Sequence, residues 1–127
     1  MKISIITPTY NDAHFIKEML SSLESQTFKN WELIIVDDGS TDNTNEIINN
    51  YISLHPTLNI KYIYQKNQDQ LNAILNGLEY VTGDYIYILH SDDKFTSDKS
   101  LELAINFMQE NDCDAAISNL ELINEKS

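Results

Sequence analysis

The chain is poor in basic side chains relative to acidic ones. Its 127 residues contain 8 Lys and Arg against 20 Asp and Glu, which gives a formal net charge of −12 at pH 7. A charge of that sign repels nucleic-acid phosphate and anionic lipid, and no basic stripe along the sequence offsets it. Nucleic acid is therefore excluded as the expected partner.

Cysteine and long apolar runs are also scarce. The single cysteine, Cys113, cannot form an internal disulfide and has no second thiol with which to share a metal, so we interpret it as a small buried apolar residue. No apolar run approaches the ~20 residues of a membrane span. The first residues, MKISIITPTY, enter a strand directly and lack the apolar segment and cleavage site of a signal peptide. We expect a cytoplasmic protein without a membrane span, attached at most peripherally to the inner membrane face.

The apolar residues that are present alternate between two periodicities. Strand-type runs cover residues 3–7, 33–36, 60–64 and 85–89, and apolar residues at helical spacing follow each run. Asn11 is interpreted as the cap of the first helix, and Ser40, Thr41 and Asp42 as cap and first-turn residues of the second. Residues 113–123, CDAAISNLELI, are interpreted as a further strand or pair of strands. This alternation predicts one α/β domain over residues 1–127, with a doubly wound, mostly parallel sheet between helices.

Polar residues follow three of the four predicted strands. The first strand leads into TPTYN, the second into DDGS and the fourth into HSDD. In a doubly wound sheet, ligands bind outside the carboxyl ends of the strands, near the point where the strand order reverses. Adjacent carboxylates at such an edge repel each other unless a cation lies there. The sequence therefore predicts a binding cleft to which the ends of strands one, two and four contribute.

Three stretches in order, ISIITPTYND, WELIIVDDGSTDNT and LNGLEYVTGDYIYILHSDD, resemble the nucleotide-binding half of a family-2 inverting glycosyltransferase with the GT-A fold. The resemblance covers nearly the whole chain. It implies transfer of a sugar from a UDP- or GDP-linked donor to a saccharide or lipid-linked acceptor, in cell-surface polysaccharide biosynthesis. It also implies inversion at the anomeric carbon and assistance by Mn²⁺ or Mg²⁺. The carboxylates agree with such a metal, because hard oxygen ligands favour these ions and a divalent cation can bridge carboxylate and diphosphate.

The same resemblance assigns roles to individual residues. Asp92 and Asp93 match the metal and ribose positions of the family's acidic motif, with Ser91 beside them in the nucleotide site. Asp38, with Asp37 next to it, matches the acid that reads the nucleoside. In this family a loop forms a wall around the base, and the residues that match this loop are Pro8, Thr9 and Tyr10. Residues 67–72, NQDQLN, fall where the family places a donor-side loop, which makes Asn67 and Asn72 candidates, although the usual glycine and serine of that loop are absent.

His90 departs from the family pattern, which most often has an aspartate there. Imidazole can ligate Mn²⁺ or hydrogen-bond a ribose or phosphate oxygen, so His90 is a candidate metal ligand beside Asp92 and Asp93. The alternative is that His90 only ends the strand and that the two acids hold the metal.

The general base of this family normally lies well beyond the metal motif, and no residue of this chain is nominated for it. The acceptor-binding half is expected to be absent. A non-catalytic nucleotide-sugar-binding fragment or a degenerate homologue is therefore the alternative to an enzyme. A truncated sheet would leave an unpaired edge strand, and two copies of the chain could pair along this edge to form a homodimer.

Phosphoacceptor receiver domains are a rival of similar length that also binds Mg²⁺ with clustered acids at strand ends. In that family an acid pair follows the first strand, a phosphorylated aspartate the third and a lysine the fifth. Here TPTYN follows the first strand, YQKNQ the third, and no lysine follows residues 113–119 directly. The receiver interpretation fails at all three positions.

Overall fold

The computed structural model describes residues 1–112. Four strands alternate with four helices, which confirms the predicted α/β alternation. In chain order the elements are β1 Ile3–Thr9, α1 Ile16–Glu24, β2 Trp31–Asp37, α2 Thr44–Leu54, β3 Ile60–Tyr64, α3 Gln70–Leu78, β4 Tyr85–Ile88 and α4 Ser100–Asn111. The strand or strands predicted over residues 113–123, and Cys113 with them, lie outside the described residues.

All four strands run parallel in the order β3-β2-β1-β4. The chain moves outward from β1 to β2 to β3 and then returns to place β4 on the other side of β1. The strand order therefore reverses between β1 and β4. At this point the connections leave toward opposite sides of the sheet and open a crevice at its carboxyl edge.

Helices cover both faces of the sheet. The larger core holds β1 and β2 side chains together with the buried faces of α1, α2 and α4, and a smaller core lies under α3. Every residue of β1 and β2 is buried, as expected for central strands packed on both faces. Gly77 lets α3 approach β1, since a Cβ at this position would lie 2.8 Å from Cγ2 of Ile6. The predicted doubly wound, parallel α/β fold is confirmed.

A buried glutamine holds the segment that follows β4. Gln26 at the end of α1 is fully buried. Its Nε2 donates to the Ser97 carbonyl at 2.7 Å, and its Oε1 accepts from the Leu101 backbone N at 3.0 Å. Because unpaired buried polar groups are costly, these bonds fix the path from the end of β4 to the start of α4.

The predicted cap of the first helix is wrong. Helix α1 begins at Ile16, and Asn11 lies earlier, in a left-handed conformation with φ 51°. The Asn11 side chain instead accepts from the backbone N of Thr41 at 2.8 Å, while the Asn11 backbone N donates to Ser40 Oγ at 2.9 Å. Asn11 therefore joins the loop after β1 to the loop after β2. Helix α2 begins later than predicted, at Thr44, with Asn43 as its N-cap and Glu46 as the acid of its first turn. Asp42 lies before the helix, although its Oδ1 still accepts from the Thr44 backbone N at 3.0 Å.

Candidate nucleotide and metal site

A cavity of about 250 Å³ lies at the carboxyl edge of the sheet, where the strand order reverses. The ends of β1, β2 and β4 all contribute to it, which confirms the predicted convergence. Its lining residues are Pro8, Thr9, Tyr10 and Asp12 after or within β1, Asp38 after β2, Gln70 at the start of α3, and His90, Ser91 and Asp92 after β4. Asp12 and Gln70 were not among the residues predicted from the sequence.

The wall formed by the end of β1 combines an exposed ring with a buried hydroxyl. Tyr10 is 47% exposed, so its aromatic face is accessible for stacking. Thr9 is only 3% exposed, and within residues 1–112 its Oγ1 has no hydrogen-bond partner. With less than 1 Å² of accessible surface, Thr9 Oγ1 is a buried part of the wall and is not exposed to a ligand in the cavity.

The two aspartates at the end of β2 have different surroundings. Asp38 lines the cavity, and its Oδ1 accepts from Gln65 Nε2 at 2.9 Å and from the Gln68 backbone N at 2.8 Å. Asp37 is fully buried and does not line the cavity. Its carboxylate accepts from the Ser40 backbone N at 2.9 Å and from the Tyr62 hydroxyl at 2.6 Å. Of the predicted pair, only Asp38 is placed to contact a ligand.

The predicted donor-side loop packs against Gly39. Gly39 has φ +83°, and a Cβ there would lie 2.9 Å from the Asn67 backbone N. Asn67 does not line the cavity, and neither does Asn72, whose backbone N donates to the Asp69 carboxylate at 2.8 Å. Gln70 is the residue of this loop that reaches the cavity.

The polar residues that follow β4 differ in whether they line the cavity. His90, Ser91 and Asp92 line the cavity, whereas Asp93 does not. Ser91 is buried and donates a hydrogen bond to the Asp12 carboxylate. The Asp93 backbone N donates to the His90 carbonyl at 3.0 Å, which closes a tight turn just after the strand.

Carboxylate crowding perturbs two groups at this edge. Burial raises the pKa of Asp12, and Asp92 and Asp42 raise it further, against the lowering effect of the Ser91 hydrogen bond. Burial also raises the pKa of Asp93, followed by the charge of Asp92, while His90 acts in the opposite direction. In both groups burial is the largest cause of the raised pKa and the charge of Asp92 adds to it, and a bound cation would relieve this second part.

The carboxylates fit a metal ion whose coordination is completed by the phosphate groups of a bound substrate. Within residues 1–112 there is no cluster of three or more His, Cys, Asp or Glu side chains arranged to hold a metal, so His90, Asp92 and Asp93 do not form a ready-made centre. Mg²⁺ in particular is usually bound by one or two carboxylates together with substrate phosphates. Asp92 at the cavity and Asp93 beside it suit that mode of binding.

Similarity to known proteins agrees with the glycosyltransferase family predicted from the sequence. Residues 4–127 match the family described as glycosyl transferase family 2. The chain belongs to this family. One family-2 relative is the *Escherichia coli* enzyme WfgD, named a UDP-Glc:alpha-D-GlcNAc-diphosphoundecaprenol beta-1,3-glucosyltransferase. It is 36% identical over 125 residues, which cover 98% of this chain and 48% of the relative.

Two solved structures share the fold. *S. aureus* TarS, residues 1–349 in complex with UDP, superposes with a TM-score of 0.77 at 33% identity, over 87% of this chain and 32% of TarS. The mannosyltransferase PcManGT from *Pyrobaculum calidifontis*, in complex with GDP-Man and Mn²⁺, gives a TM-score of 0.80 at 26% identity, over 84% of this chain and 32% of PcManGT. The fold of this family-2 chain is that of GT-A glycosyltransferases.

The chain spans only part of its relatives. It covers between 17% and 48% of the length of the curated proteins that it matches. Among residues 1–112, no helix is both long enough and apolar enough to cross a bilayer.

Proposed function

We propose that the cavity binds a nucleoside-diphosphate sugar, UDP- or GDP-linked, together with Mn²⁺ or Mg²⁺. We further propose that the family-2 glycosyltransferase of which residues 1–127 are the nucleotide-sugar-binding portion transfers this sugar to an acceptor with inversion. The observation that carries the proposal is the meeting of Asp12, Asp38 and Asp92 at one cavity, at the point where the strand order reverses. A cavity of about 250 Å³ is below the usual ~300–1,000 Å³ of small-molecule sites, so it suits part of a nucleotide sugar.

The negative charge of the cavity favours a diphosphate bound together with a metal ion over an uncharged ligand. Three carboxylates line the cavity, and no lysine of residues 1–112 does. A diphosphate would add negative charge to a site that already perturbs the pKa of Asp12, so it would bind only with a cation that contacts both partners. Asp92 and Asp93 would hold this cation. When bound, the metal ion supplies charge stabilisation for the departing nucleoside diphosphate.

The remaining side chains would bind and orient the nucleoside. Tyr10 offers a ring face for the base, and Pro8 and Thr9 form the adjoining wall. Asp38 is oriented by its bonds from Gln65 and Gln68, and within the part of the chain described by the structure its Oδ2 has no protein partner. That oxygen is therefore placed to accept a hydrogen bond from the nucleoside. Asp37 and Asn67 would act indirectly, by holding Asp38 and Gly39 in place.

Transfer itself requires an acceptor hydroxyl to attack the anomeric carbon as the bond to the nucleoside diphosphate breaks. A base must take the hydroxyl proton, and no side chain of this chain is assigned that role. The relative WfgD is named for a diphosphoundecaprenol-linked acceptor. We propose a saccharide or lipid-linked acceptor by analogy, in cell-surface polysaccharide synthesis, and peripheral attachment to the inner membrane face if the acceptor is lipid-linked.

Calorimetry and thermal unfolding test the binding proposal. UDP or GDP should bind in the presence of Mn²⁺ or Mg²⁺ and should raise the melting temperature, since a ligand of the folded state stabilises it. Removal of the metal with EDTA should abolish most of this shift. Asp92→Asn and Asp38→Asn should each weaken binding at least tenfold, because each removes a charge that faces the ligand.

Asp98→Asn is the matched control. Asp98 is exposed and does not line the cavity, so its substitution should leave nucleotide binding unchanged. Binding that persists in EDTA and survives both cavity substitutions would contradict the proposed site.

A further inference from the structure

The backbone of Asp38 is held rigidly at the cavity. Asp38 is only 5% exposed and lines the cavity. Its backbone N donates to the Thr9 carbonyl at 2.8 Å, which continues the ladder between β1 and β2 by one hydrogen bond. With the backbone fixed in this way, the surroundings of the carboxylate decide which of its oxygens faces a ligand.

One carboxylate oxygen of Asp38 is fully used inside the protein. Oδ1 accepts from Gln65 Nε2 at 2.9 Å and from the Gln68 backbone N at 2.8 Å. A carboxylate has about four lone-pair sites, which is about two on each oxygen. Both sites of Oδ1 are therefore occupied, and Oδ2 is the oxygen that remains for a ligand.

The orientation of the Gln65 amide is set by a second amide. Oε1 of Gln65 accepts from Asn76 Nδ2 at 2.9 Å. Because the carboxylate of Asp38 can only accept, the Gln65 group that faces it must be the NH₂, and the carbonyl oxygen of Gln65 then needs a donor on its other side. Asn76 supplies that donor. The three side chains form a hydrogen-bond relay from Asn76 through Gln65 to Asp38.

The relay is anchored to the sheet at both ends. Gln65 follows β3, and its backbone N donates to the Asp37 carbonyl at 2.9 Å. Asn76 precedes Gly77, the residue at which α3 packs closely against β1. Since β3 and α3 hold the relay in place, the carboxylate of Asp38 keeps one oxygen toward the protein and the other toward the cavity.

A carboxylate with one available oxygen discriminates between nucleobases. The N3–H group of uracil lies between two carbonyl oxygens, so it pairs with one acceptor, and a second free carboxylate oxygen beside it would face a carbonyl. Guanine instead presents N1–H and its 2-amino group side by side, and this pair matches two free carboxylate oxygens. At Asp38 the second oxygen has no free lone pair, so a guanine donor would lose its partner on binding.

The other carboxylates near the cavity do not replace the missing oxygen. Asp37 is fully buried, and both of its oxygens are bonded inside the protein. The Asp12 carboxylate accepts from Ser91, and Asp92 is assigned to the metal. The cavity volume of about 250 Å³ also suits the single ring of uracil better than the fused rings of a purine.

We propose that this relay makes the site selective for uracil, so that the donor is a UDP-sugar and not a GDP-sugar. Oδ2 of Asp38 accepts from N3–H of the base, and Gln65 and Asn76 are positioning residues that keep Oδ1 turned away from it. This assignment rests on the proposed function, which already places Asp38 at the nucleoside. It adds which base is accepted and which two residues outside the cavity lining decide the choice.

Calorimetric titration with four nucleoside diphosphates, each with Mn²⁺ in excess, tests the selectivity. UDP should bind at least about tenfold more tightly than GDP. CDP is close to UDP in size but has a lone pair at N3 in place of the N–H, so it should bind about tenfold more weakly than UDP. Inosine diphosphate lacks the 2-amino group of GDP and should bind within about twofold of GDP, because that group finds no partner here.

Two variants test the positioning residues. Gln65→Ala frees a lone pair on Oδ1 of Asp38, so it should weaken UDP binding about fivefold, reduce the preference for UDP over GDP, and make GDP bind more tightly than inosine diphosphate. Asn76→Ala should change the preference in the same direction but by less. The double variant should match Gln65→Ala, because Asn76 acts through Gln65. Gln109→Ala, on the exposed side of α4, is the matched control and should bind all four as the wild type does.

The outcomes separate this assignment from the proposed function. A wild-type chain that binds none of the four nucleotides would overturn both. Binding of UDP with equal or tighter binding of GDP or CDP would overturn the uracil selectivity alone, as would a strong preference for GDP over inosine diphosphate. If Gln65→Ala and Asn76→Ala weakened all four nucleotides by the same factor, the relay would be merely structural and its role in selectivity would be wrong.

Discussion

The hydroxyl of Tyr62 on β3 donates a 2.6 Å hydrogen bond to Oδ2 of Asp37 at the end of β2. Oδ1 of Asp37 accepts from the Ser40 backbone N, so both oxygens are satisfied inside the protein. Burial raises the pKa of Tyr62, and the hydrogen bond to Asp37 and its charge raise it further, which keeps the phenol protonated as the donor. Asp37 therefore ties β2 to β3 and to the turn at Gly39.

We expect Tyr62→Phe to lower the free energy of unfolding by about 1.5–3 kcal/mol, because it leaves a buried carboxylate oxygen of Asp37 without its donor, and to leave nucleotide affinity unchanged. Asp38→Asn should do the reverse, with little loss of stability and a large loss of affinity. Urea unfolding and calorimetry on both variants measure these effects. A Tyr62→Phe variant that lost affinity at full stability would show that Asp37 contacts the ligand.

The opposite edge of the sheet contains a buried glutamate that should make the fold sensitive to acid. Burial acts to raise the pKa of Glu32, but hydrogen bonds from Ser4 and Thr82, together with Lys2, outweigh it and lower the pKa from 4.5 to about 2. The Ser4 hydroxyl donates at 2.6 Å, and Lys2 Nζ lies 3.2 Å from the carboxylate. A carboxyl with a depressed pKa stabilises the folded state above its unfolded pKa, and this contribution is lost as pH falls.

We therefore expect Glu32→Gln to lower stability at pH 7 by up to ~3 kcal/mol, the equivalent of this pKa shift. The difference from the wild type should shrink as pH falls from 4.5 toward 2, where Glu32 itself becomes protonated. Thermal unfolding of both chains across this range is the measurement. A difference that stayed constant with pH would show that lost packing, and not lost charge, caused the effect.

The ionised carboxylate of Asp93 should destabilise the folded state, whereas that of Glu32 stabilises it. Its pKa is raised by burial and by the charge of Asp92, so the ionised form costs stability at neutral pH and the protonated form at low pH does not. Asp93→Asn should accordingly raise the melting temperature slightly at pH 7 without ligand, and reduce the additional rise produced by Mn²⁺ with a nucleoside diphosphate. A variant that melted much lower yet kept the full metal response would make Asp93 a structural residue.

The conformation of Asp69 gives a test that needs no ligand. Glycine adopts φ 149° readily and is a fair helix cap, whereas alanine keeps the unfavourable backbone and loses the hydrogen bond to Asn72. Asp69→Ala should therefore lower stability by ~1 kcal/mol, while Asp69→Gly should match or exceed the wild type. Urea unfolding would contradict this if the glycine variant proved the less stable of the two.

The sequence predicts the strand ends well because apolar runs mark the strands and parallel strands share one carboxyl edge. It groups Asp37 with Asp38, and strand alternation does not separate them, because β2 is buried on both faces: Leu33 and Ile35 pack in the larger core, and Ile34 and Val36 in the smaller one. Asp37 is instead enclosed by its hydrogen bonds from Tyr62 on β3 and from the Ser40 backbone N, which depend on how β3 and the following turn meet β2.

Asp12 and Gln70 could not be found in the same way. Neither lies in a strand, and at the cavity each contacts a residue from a distant part of the chain, Asp12 with Ser91 and Gln70 with His90. The cap predicted at Asn11 failed for a related reason, because its side chain bonds to the loop after β2. Local propensity describes the start of a helix, whereas these contacts depend on how two loops meet.

The contact between Gly39 and Asn67 also bears on how this site could be re-engineered. Position 39 admits no side chain, since a Cβ there would lie 2.9 Å from a backbone nitrogen and φ is +83°. A mutational library directed at nucleotide preference would lose its members at position 39 to misfolding before selection could act on them. Diversity is better placed at Tyr10 and Gln70, whose side chains are exposed at the cavity and whose backbones are compatible with many residues.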